Sequence, residues 1–386
     1  MQSCQIIHLI EGKEGFGVAT VLRQIIKNLP FVKFIALSPG KFTQAIPAEQ
    51  LLWVGEKDLN IRIGRSTLGG FVAITKNIFR WWSIAKHVVK ILPAEPVLFH
   101  CHHLFTTLLA VMIKFQRPKS QTKILYHFHS IMNRKRLFGL LPRLQRFVIG
   151  RSVDGIVAVS SAVADYWRPV RCRIWVVHNG MAKKPIAPMR EELKNYQDKR
   201  NILIAASISR EKGQMVAVEA MKLLGPRADE FHLWIAGCPI DEALNPFAGE
   251  LKAAIERYGL NQTISLLGQV ENIATIAPFT WAALQLRITP EPCAMWVLEA
   301  LSFGLAIVAT NNGGTQELVR HEIEGLLIRP NDPQALADAI LRLADDESLH
   351  DRLAEAAALR ARDFTVEAFI AKLRGVYTDL GATERK

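Results

Sequence analysis

Residues 291–317 read EPCAMWVLEALSFGLAIVATNNGGTQE and combine two carboxylates, an apolar run and a glycine turn. Glu291 stands before a predicted helix and Glu299 stands inside it, eight residues later. A helix that begins near Pro292 directs its free backbone amides and the positive end of its dipole outward, which suits a diphosphate. Two exposed acids on an ordinary amphipathic helix would give the same spacing. The strand and glycine turn that follow favour a ligand site.

The composition predicts a folded protein with two α/β domains. The chain has 386 residues, and 49% of them are hydrophobic, which is enough for two cores and argues against extensive disorder. Its five cysteines are scattered without a CxxC pair, which predicts reduced thiols rather than a disulfide frame or a zinc site. The apolar start at 6–10 lacks a preceding basic segment and is read as a strand. The apolar window 96–115 contains three histidines and is not expected to span a membrane.

The net charge of +12 is concentrated in the first half of the chain. Residues 1–180 hold 25 Lys and Arg against 8 Asp and Glu, whereas the remainder holds 23 against 28. A basic first half predicts an anionic partner, such as a membrane surface, a lipid pyrophosphate or nucleic acid. Segments 76–92 and 134–151 mix basic with bulky apolar residues, as helices on anionic lipid do, although helices packed on a sheet can show this pattern too. Nucleic acid is not expected, because no recognised binding motif accompanies the charge.

Short β-branched runs alternate with helical periodicity, which predicts doubly wound parallel sheets. In the first half, strands are expected at 5–9, 34–37, 97–100, 124–129, 155–159 and 174–178, and helices at about 17–28, 72–92, 104–115 and 137–150. In the second half, strands are expected at 202–207, 231–237, 264–267, 283–287, 306–310 and 325–328. Asp332 is expected to cap a helix that runs to about residue 345.

The polar, proline-containing stretch 183–199 is read as a linker between two domains. The first domain is expected to cover residues 1–182 and the second 200–365. Two loops in these domains contain candidate ligands beyond strand ends, where open α/β sheets bind small molecules. The loop after strand 202–207 contains Ser207, Arg210 and Lys212, and the loop after the first strand contains Gly15 and Gly17. Cations in the loop that contains Lys212 would neutralise a diphosphate leaving group. The glycine pattern in the other loop is by itself weak evidence for an anion site.

Histidines mark the ends of two further predicted strands. His129 ends one of them, and alternation places His127 on the same face. The run of His100, His102 and His103 looks like a metal cluster, but its spacing suits neither a helical histidine pair nor a zinc knuckle. These three residues are therefore expected to pack at a strand end, and no metal is expected.

Taken in order along nearly the whole chain, these motifs resemble those of retaining glycosyltransferases of the family-4 type, which have the GT-B fold. The resemblance implies two Rossmann-like doubly wound domains facing a cleft, with the last helix, about 366–386, packing back on the first domain. It also implies that Glu299 binds the ribose hydroxyls of a nucleotide and that Glu291 contacts the transferred sugar. Lys212 matches the family's lysine, but Ser207 stands where the family usually has an arginine. Arg210 is one candidate to replace that arginine.

The resemblance assigns roles to the remaining candidates. His129 would face the reacting sugar, and Gly15 or Gly17 would lie where the acceptor meets the diphosphate. The nucleobase would be read by the backbone around Val270. The diphosphate would lie at the helix start formed by Ala294, Met295 and Trp296.

The implied reaction is transfer of a hexose, with glucose favoured, from a UDP-sugar to a saccharide or lipid-linked acceptor. The anomeric configuration would be retained, and neither a metal nor another cofactor would be required. The expected location is cytoplasmic, with the basic domain placed peripherally on the inner face of a membrane. Two alternatives stay open: a catalytically weak nucleotide-binding or membrane-associated assembly partner, which Ser207 motivates, and a nucleotide-sugar epimerase.

Overall fold

The computed structural model describes residues 4–12, 16–40, 42–55, 67–131 and 140–382. The chain divides into two compact units. The first comprises Met1–His178 with Phe369–Lys386, and the second comprises Asn179–Ala368. Each unit contains one sheet, and every strand pair in both sheets is parallel. The chain therefore has two Rossmann-like α/β units, as the alternation of strands and helices predicts.

The first unit contains a seven-stranded sheet in the order β3-β2-β1-β4-β5-β6-β7. Its strands are β1 Gln5–Ile10, β2 Lys33–Ala36, β3 Leu51–Val54, β4 Val97–Cys101, β5 Thr122–Phe128, β6 Gly155–Ala158 and β7 Arg173–Val176. Its helices are α1 Phe16–Asn28, α2 Thr67–Ile91, α3 Leu104–Phe115, α4 Leu140–Ser152 and α5 Ser161–Trp167, and most of α12, Val366–Asp379, belongs to it. The sequence patterns predict all of these strands except β3 and all of these helices except the short α5.

The second unit contains a six-stranded sheet in the order β10-β9-β8-β11-β12-β13. Its strands are β8 Arg200–Ala205, β9 Phe231–Ala236, β10 Ile264–Gly268, β11 Ala282–Gln285, β12 Ala306–Thr310 and β13 Gly325–Ile328. Its helices are α6 Gln214–Leu223, α7 Pro246–Arg257, α8 Met295–Ser302, α9 Thr315–Leu318, α10 Pro333–Asp345 and α11 Glu347–Arg360. The Asp332 carboxylate accepts a hydrogen bond from the Ala335 amide at 3.0 Å, which confirms the predicted cap of α10.

The stretch 183–199, expected as a linker, lies against the second sheet. Leu193 is buried, and the Tyr196 ring stacks on His232 with centroids 3.6 Å apart. The Asn201 side-chain amide donates to the Tyr196 carbonyl at 2.9 Å. Since these contacts fix the stretch to strands β8 and β9, it belongs to the second unit and is more than a connector.

Each sheet reverses its strand order once. In the first sheet β1 lies between β2 and β4, and in the second β8 lies between β9 and β11. Chain connections diverge at such a switch point and leave a crevice beyond the carboxyl ends of the two central strands. The candidate residues described below lie at these strand ends.

Candidate functional site

Glu291 is the centre of a buried polar cluster in the second unit. Its residue is only 6% exposed. Its Oε2 atom accepts from Gln285 Nε2 at 3.3 Å, Arg287 Nη1 at 3.1 Å and Lys212 Nζ at 3.4 Å. In the part of the chain that the structure describes, no donor is found on Oε1. The carboxylate is thus neutralised by two cations on one oxygen, while the other oxygen stays available to a ligand.

Lys212 is held by a close approach between two loops. It ends a short 3-10 turn, Arg210–Lys212, and Gly213 follows with φ +77°. A Cβ atom on Gly213 would lie 2.1 Å from the Leu286 carbonyl oxygen, so this position requires glycine. The Ile288 amide donates to the Glu211 carbonyl at 2.8 Å and joins the same two loops. The lysine is therefore fixed relative to the loop that contains Glu291.

Arg210 does not lie beside Lys212 on Glu291. Its guanidinium pairs with Glu250 and lies 5.2 Å from the centre of the Phe247 ring, and its side chain is 68% exposed. Arg287 is the second cation at the site. The sequence predicts that Arg287 ends the strand 283–287, but β11 ends at Gln285. The signal that could have found it is the spacing of four residues to Glu291.

Ser207 is exposed, and its contribution to the local structure comes from its backbone. Its carbonyl accepts from the Gln214 side-chain amide at 2.9 Å. Helix α6 begins at Gln214, so this bond ties the loop to the helix. The position that usually carries an arginine in the resembled family is therefore neutral in this chain.

Helix α8 begins at Met295, three residues later than the sequence predicts. Ala294 occupies its N-cap position, and no side chain caps the first turn. The Trp296 indole donates to the Leu284 carbonyl at 3.0 Å, and the Asn179 side-chain amide donates to the Met295 sulfur at 3.3 Å. These contacts anchor the helix start while its first backbone amides lack a side-chain cap, which is the arrangement that an anion requires.

Glu299 lies on α8 and carries a partner that the sequence reading missed. Lys184 Nζ donates to Glu299 Oε1 at 2.7 Å, and the Glu299 side chain is 20% exposed. Lys184 lies in the stretch that the sequence predicts as a linker, and no local pattern indicates this pairing. The ion pair occupies one oxygen of the Glu299 carboxylate, and a carboxylate oxygen accepts hydrogen bonds.

The glycine turn contacts the backbone of Glu291. Gly313 has φ +55°, and a Cβ atom there would lie 2.3 Å from the Glu291 carbonyl oxygen. The Gly314 amide donates to the same oxygen at 2.6 Å. Gly314 also occupies the N-cap position of α9. The turn thus fixes the loop that positions Glu291.

The other candidates on loops are placed less closely. Val270 follows β10 and is partly buried. Gly17 lies in the first turn of α1 and is exposed, whereas Gly15 lies outside the described residues. The structure therefore adds no contact that would test the roles of these three residues.

In the first unit, five histidines from three neighbouring strands form what we call the histidine cluster: His8, His100, His102, His127 and His129. His8 lies opposite His100 in the register of β1 and β4. His127 and His129 stack with centroids 4.1 Å apart, and His100 and His102 with centroids 4.5 Å apart. The sequence predicts that His127 and His129 share a face, and the structure places them together, but His8 was not anticipated.

Burial holds the imidazoles of the cluster in their neutral form. Desolvation lowers the pKa of His8 to about 3. Burial, followed by the neighbouring histidines, lowers the pKa of His100, His102, His127 and His129 well below the usual range. Since a neutral imidazole has one N–H and one bare nitrogen, each ring can donate one hydrogen bond and accept one.

Two triads in the histidine cluster bring ring nitrogens close enough together to coordinate a metal ion. One nitrogen from each of His8, His100 and His102 lies within 4.8 Å of the others, and the same holds for His102, His127 and His129. In the second triad the rings of His127 and His129 stack with their planes 29° apart. A metal would have to replace the hydrogen bonds among these rings. The expectation of no metal stays a prediction.

Comparison with protein-family models matches both units. The model described as Glycosyltransferase Family 4 matches residues 32–182, and the model described as Glycosyl transferases group 1 matches residues 186–360. Together they span most of the chain. It belongs to the group 1, family 4 glycosyltransferases.

This glycosyltransferase is similar to curated proteins over parts of its length. It is 31% identical over 140 residues to the exopolysaccharide phosphotransferase SCO2592 of Streptomyces coelicolor, which is 35% of this chain and 14% of that protein. It is 28% identical over 250 residues to the lipopolysaccharide core biosynthesis mannosyltransferase LpsB of Rhizobium meliloti, which is 61% of this chain and 68% of that protein. The match to the kanosaminyltransferase of Streptomyces kanamyceticus spans about half of each chain. The chain thus spans less than two thirds of the length of several of these relatives.

Solved structures show that the fold is GT-B. The glycosyltransferase aligns with Anabaena Alr3699/HepE, crystallised with UDP, at a TM-score of 0.78 and 18% identity, covering 97% of this chain and 100% of that one. A glycosyltransferase from Rickettsia africae aligns at a TM-score of 0.79 and 19% identity, covering 99% and 100%. Within the described ranges, none of the helices combines the length and apolar character that crossing a bilayer requires.

The contact between the glycine turn and Glu291 predicts a position-specific cost of adding one methyl group. In Gly313→Ala the new Cβ meets the Glu291 backbone, so Glu291 shifts in addition to the strain of a positive φ. Gly225→Ala is the matched control, because its φ is +58° but no atom lies within 4 Å of the added Cβ. Urea unfolding should give a loss of about 1 kcal/mol for Gly225→Ala and at least about 2 kcal/mol more for Gly313→Ala.

Equal losses in the two variants would contradict this account of the glycine turn.

Proposed function

We propose that this glycosyltransferase transfers a hexose, with glucose favoured, from a UDP-sugar to a saccharide or lipid-linked acceptor with retention of anomeric configuration. The observation that carries the proposal is the arrangement around Glu291. Two cations share its carboxylate, and the helix that begins four residues later has no side-chain cap. A nucleoside diphosphate brings two or more negative charges, which Lys212, Arg287 and the helix start would bind together.

The choice of UDP is supported by proteins of the same fold. Anabaena Alr3699/HepE has been crystallised with UDP, with UDP and glucose, and with UDP-glucose. In our proposal Glu299 accepts hydrogen bonds from the ribose hydroxyls once Lys184 shifts or shares it, and the backbone near Val270 reads the base. LpsB is named a mannosyltransferase, so relatives of this chain differ in the sugar they transfer.

The proposed reaction takes place on one face of the sugar. The bond between the anomeric carbon and the diphosphate oxygen breaks, and a bond from the acceptor oxygen forms on the same face. The acceptor hydroxyl proton passes to the departing diphosphate oxygen, so the products are UDP and the glycoside. Lys212 and Arg287 stabilise the charge that develops on the diphosphate.

Glu291 and His129 orient the transferred sugar in this mechanism. The Oε1 atom of Glu291 accepts from a sugar hydroxyl, because Oε2 is already occupied by three donors. His129, whose ring is the partly exposed member of the histidine cluster, contacts a sugar oxygen. Since two cations and a helix start provide the positive charge, the proposed reaction needs no metal.

The alternatives differ in what they do to the donor. An epimerase would convert UDP-glucose to another nucleotide sugar without an acceptor, and an inactive assembly partner would bind UDP without consuming UDP-glucose. Incubation of the protein with UDP-glucose alone and then with a panel of acceptors separates the three functions. Turnover that depends on an acceptor supports the transferase.

Substitution of single arginines tests which cation takes the role of the arginine that the family usually has at the position of Ser207. Arg287→Met should weaken UDP binding about 10- to 100-fold, since a hydrogen bond between charged groups contributes about 1.5–3 kcal/mol. Arg210→Met is the matched control and should change the affinity less than about threefold, because an exposed ion pair contributes little. Titration calorimetry with UDP in EDTA measures both.

The reverse order of these two effects would remove Arg287 from the proposed site and restore Arg210. Circular dichroism of Arg287→Met checks that the variant is folded, since Glu291 would be left with Lys212 alone as its cation.

We also propose that the first unit rests on an anionic membrane surface. Helices α2 and α4 both pack against α3, and both expose large apolar side chains. Phe79 is 79% exposed and Phe147 57% exposed, with Arg151 stacked over the Phe147 ring at 3.8 Å. Among the side chains that the structure describes on these two helices, the exposed lysines and arginines are Arg80, Lys86, Lys90, Arg143 and Arg151. Aromatic rings beside arginines and lysines suit the interface of anionic lipid.

Vesicle cosedimentation tests this surface. The double variant Phe79→Ser, Phe147→Ser should bind vesicles containing phosphatidylglycerol at least about tenfold more weakly, since each buried ring contributes about 1.5–3 kcal/mol. Leu244→Ser is the matched control, because Leu244 is 75% exposed but lies in the second, acidic half of the chain. Equal binding by the double variant and the wild type, or no binding by the wild type at low salt, would contradict the proposal.

A further inference from the structure

The histidine cluster and Tyr377 of α12 form one unbroken line of side-chain contacts. On one side of the line, the Tyr377 hydroxyl lies 3.2 Å from His8 Nε2, and His8 Nδ1 lies 2.9 Å from His102 Nε2. His102 Nδ1 then lies 3.1 Å from His129 Nε2. This side therefore links the buried tyrosine to the partly exposed His129 through two fully buried rings.

On the other side, the Tyr377 hydroxyl lies 2.8 Å from His100 Nδ1. His100 Nε2 lies 3.2 Å from His127 Nδ1. The line ends at His127 Nε2, which is buried and has no hydrogen-bond partner among the described residues. Tyr377 thus joins the two sides of the line. One end of the line is the buried His127, which we call the closed end, and the other is the partly exposed His129.

Counting protons leaves only two ways to fill this line. Each of its five contacts needs one hydrogen, each neutral imidazole has one N–H, and the tyrosine has one O–H. If His129 has its proton on Nε2, every other histidine must also have Nε2–H. If His129 has its proton on Nδ1, every other histidine must have Nδ1–H. The tyrosine donates toward His100 in the first arrangement and toward His8 in the second.

The closed end decides between the two arrangements. The first would bury an N–H group at His127 Nε2 without an acceptor, whereas the second leaves a bare nitrogen there. Orphaned buried donors are rarer in proteins than acceptors with incomplete hydrogen bonding. The second arrangement is therefore favoured, and it turns the N–H of His129 to its Nδ1 atom, which lies beyond the end of the line.

We propose that Tyr377 is a positioning residue that, through His8 and His102, holds His129 in the Nδ1–H tautomer. His129 then offers a hydrogen-bond donor to an oxygen of the transferred sugar. The identity of that ligand rests on the proposed function, whereas the tautomer is a property of the first unit itself.

Nitrogen NMR of the ligand-free full-length protein reads the tautomers directly. The protein is labelled with ¹⁵N-histidine, two-bond proton–nitrogen correlations are recorded at pH 7.5, and single His→Gln variants assign the signals. All five histidines of the cluster should show the Nδ1–H pattern, the less common tautomer of free histidine. An Nε2–H or doubly protonated ring among them would overturn the proposal.

Two variants test the part played by Tyr377. Tyr377→Phe removes the donor to His8 and should release His129 into a mixture of tautomers. His100→Gln disconnects His127 from the tyrosine and should release His129 as well, because the buried end at His127 is what favours the Nδ1–H arrangement. An unchanged His129 signal in Tyr377→Phe would overturn the proposal. If Tyr377→Phe fails to fold, His8→Gln interrupts the same side and must give the same release.

Kinetics separate this proposal from the proposed function. With UDP-glucose and an acceptor, Tyr377→Phe should lower kcat about tenfold while the Kd of UDP stays within about twofold, because His129 contacts the sugar and not the nucleotide. A wild-type protein that binds no UDP would refute the proposed function, and the tautomer result would still stand or fall on the NMR spectra.

Discussion

The second unit is organised around the need to neutralise one buried carboxylate. Glu291 is almost fully buried, and an isolated charge at that depth would cost several kcal/mol. Lys212 and Arg287 compensate it from the ends of two adjacent strands, β8 and β11. The glycine turn after β12 then fixes the Glu291 backbone from the third strand. Three neighbouring loops are thereby joined around one side chain. In the proposed function, a diphosphate would take over part of this charge balance while the loops stay in place.

The polar cluster of the first unit differs from that around Glu291, because its histidines are neutral. Five imidazoles lie in and beside the central strands, four of them buried and His129 partly exposed, and desolvation lowers their pKa so that they stay unprotonated. Neutral rings satisfy each other by donating and accepting in sequence, and Tyr377 joins the two halves of that sequence. The tyrosine comes from α12, at the far end of the chain. The contact therefore links the end of the sequence to the first strand.

The sequence patterns predicted the elements well because strands and helices follow local rules. Alternation of β-branched runs with helical periodicity located all six strands of the second sheet and six of the seven in the first. The motifs also singled out Glu291, Lys212 and His129 as candidate ligand residues, and the structure places each of them among other polar side chains. They did not reveal Arg287 as the partner of Glu291 or Lys184 as the partner of Glu299. Which cation meets which carboxylate depends on loop geometry, which no local pattern encodes: Arg210 pairs with Glu250, and Arg287 pairs with Glu291. Similarly, His8 and Tyr377 are 369 residues apart, so no local pattern connects them.

The most direct test of the central claim is a thermal-shift comparison of UDP, GDP and ADP, each with magnesium and with EDTA. A ligand that binds only the folded protein raises its melting temperature by mass action. UDP should raise it equally in both conditions, GDP and ADP should raise it less, and Glu299→Gln should lose the UDP response. A protein whose melting temperature no nucleotide changes would contradict the account of a diphosphate site beside Glu291.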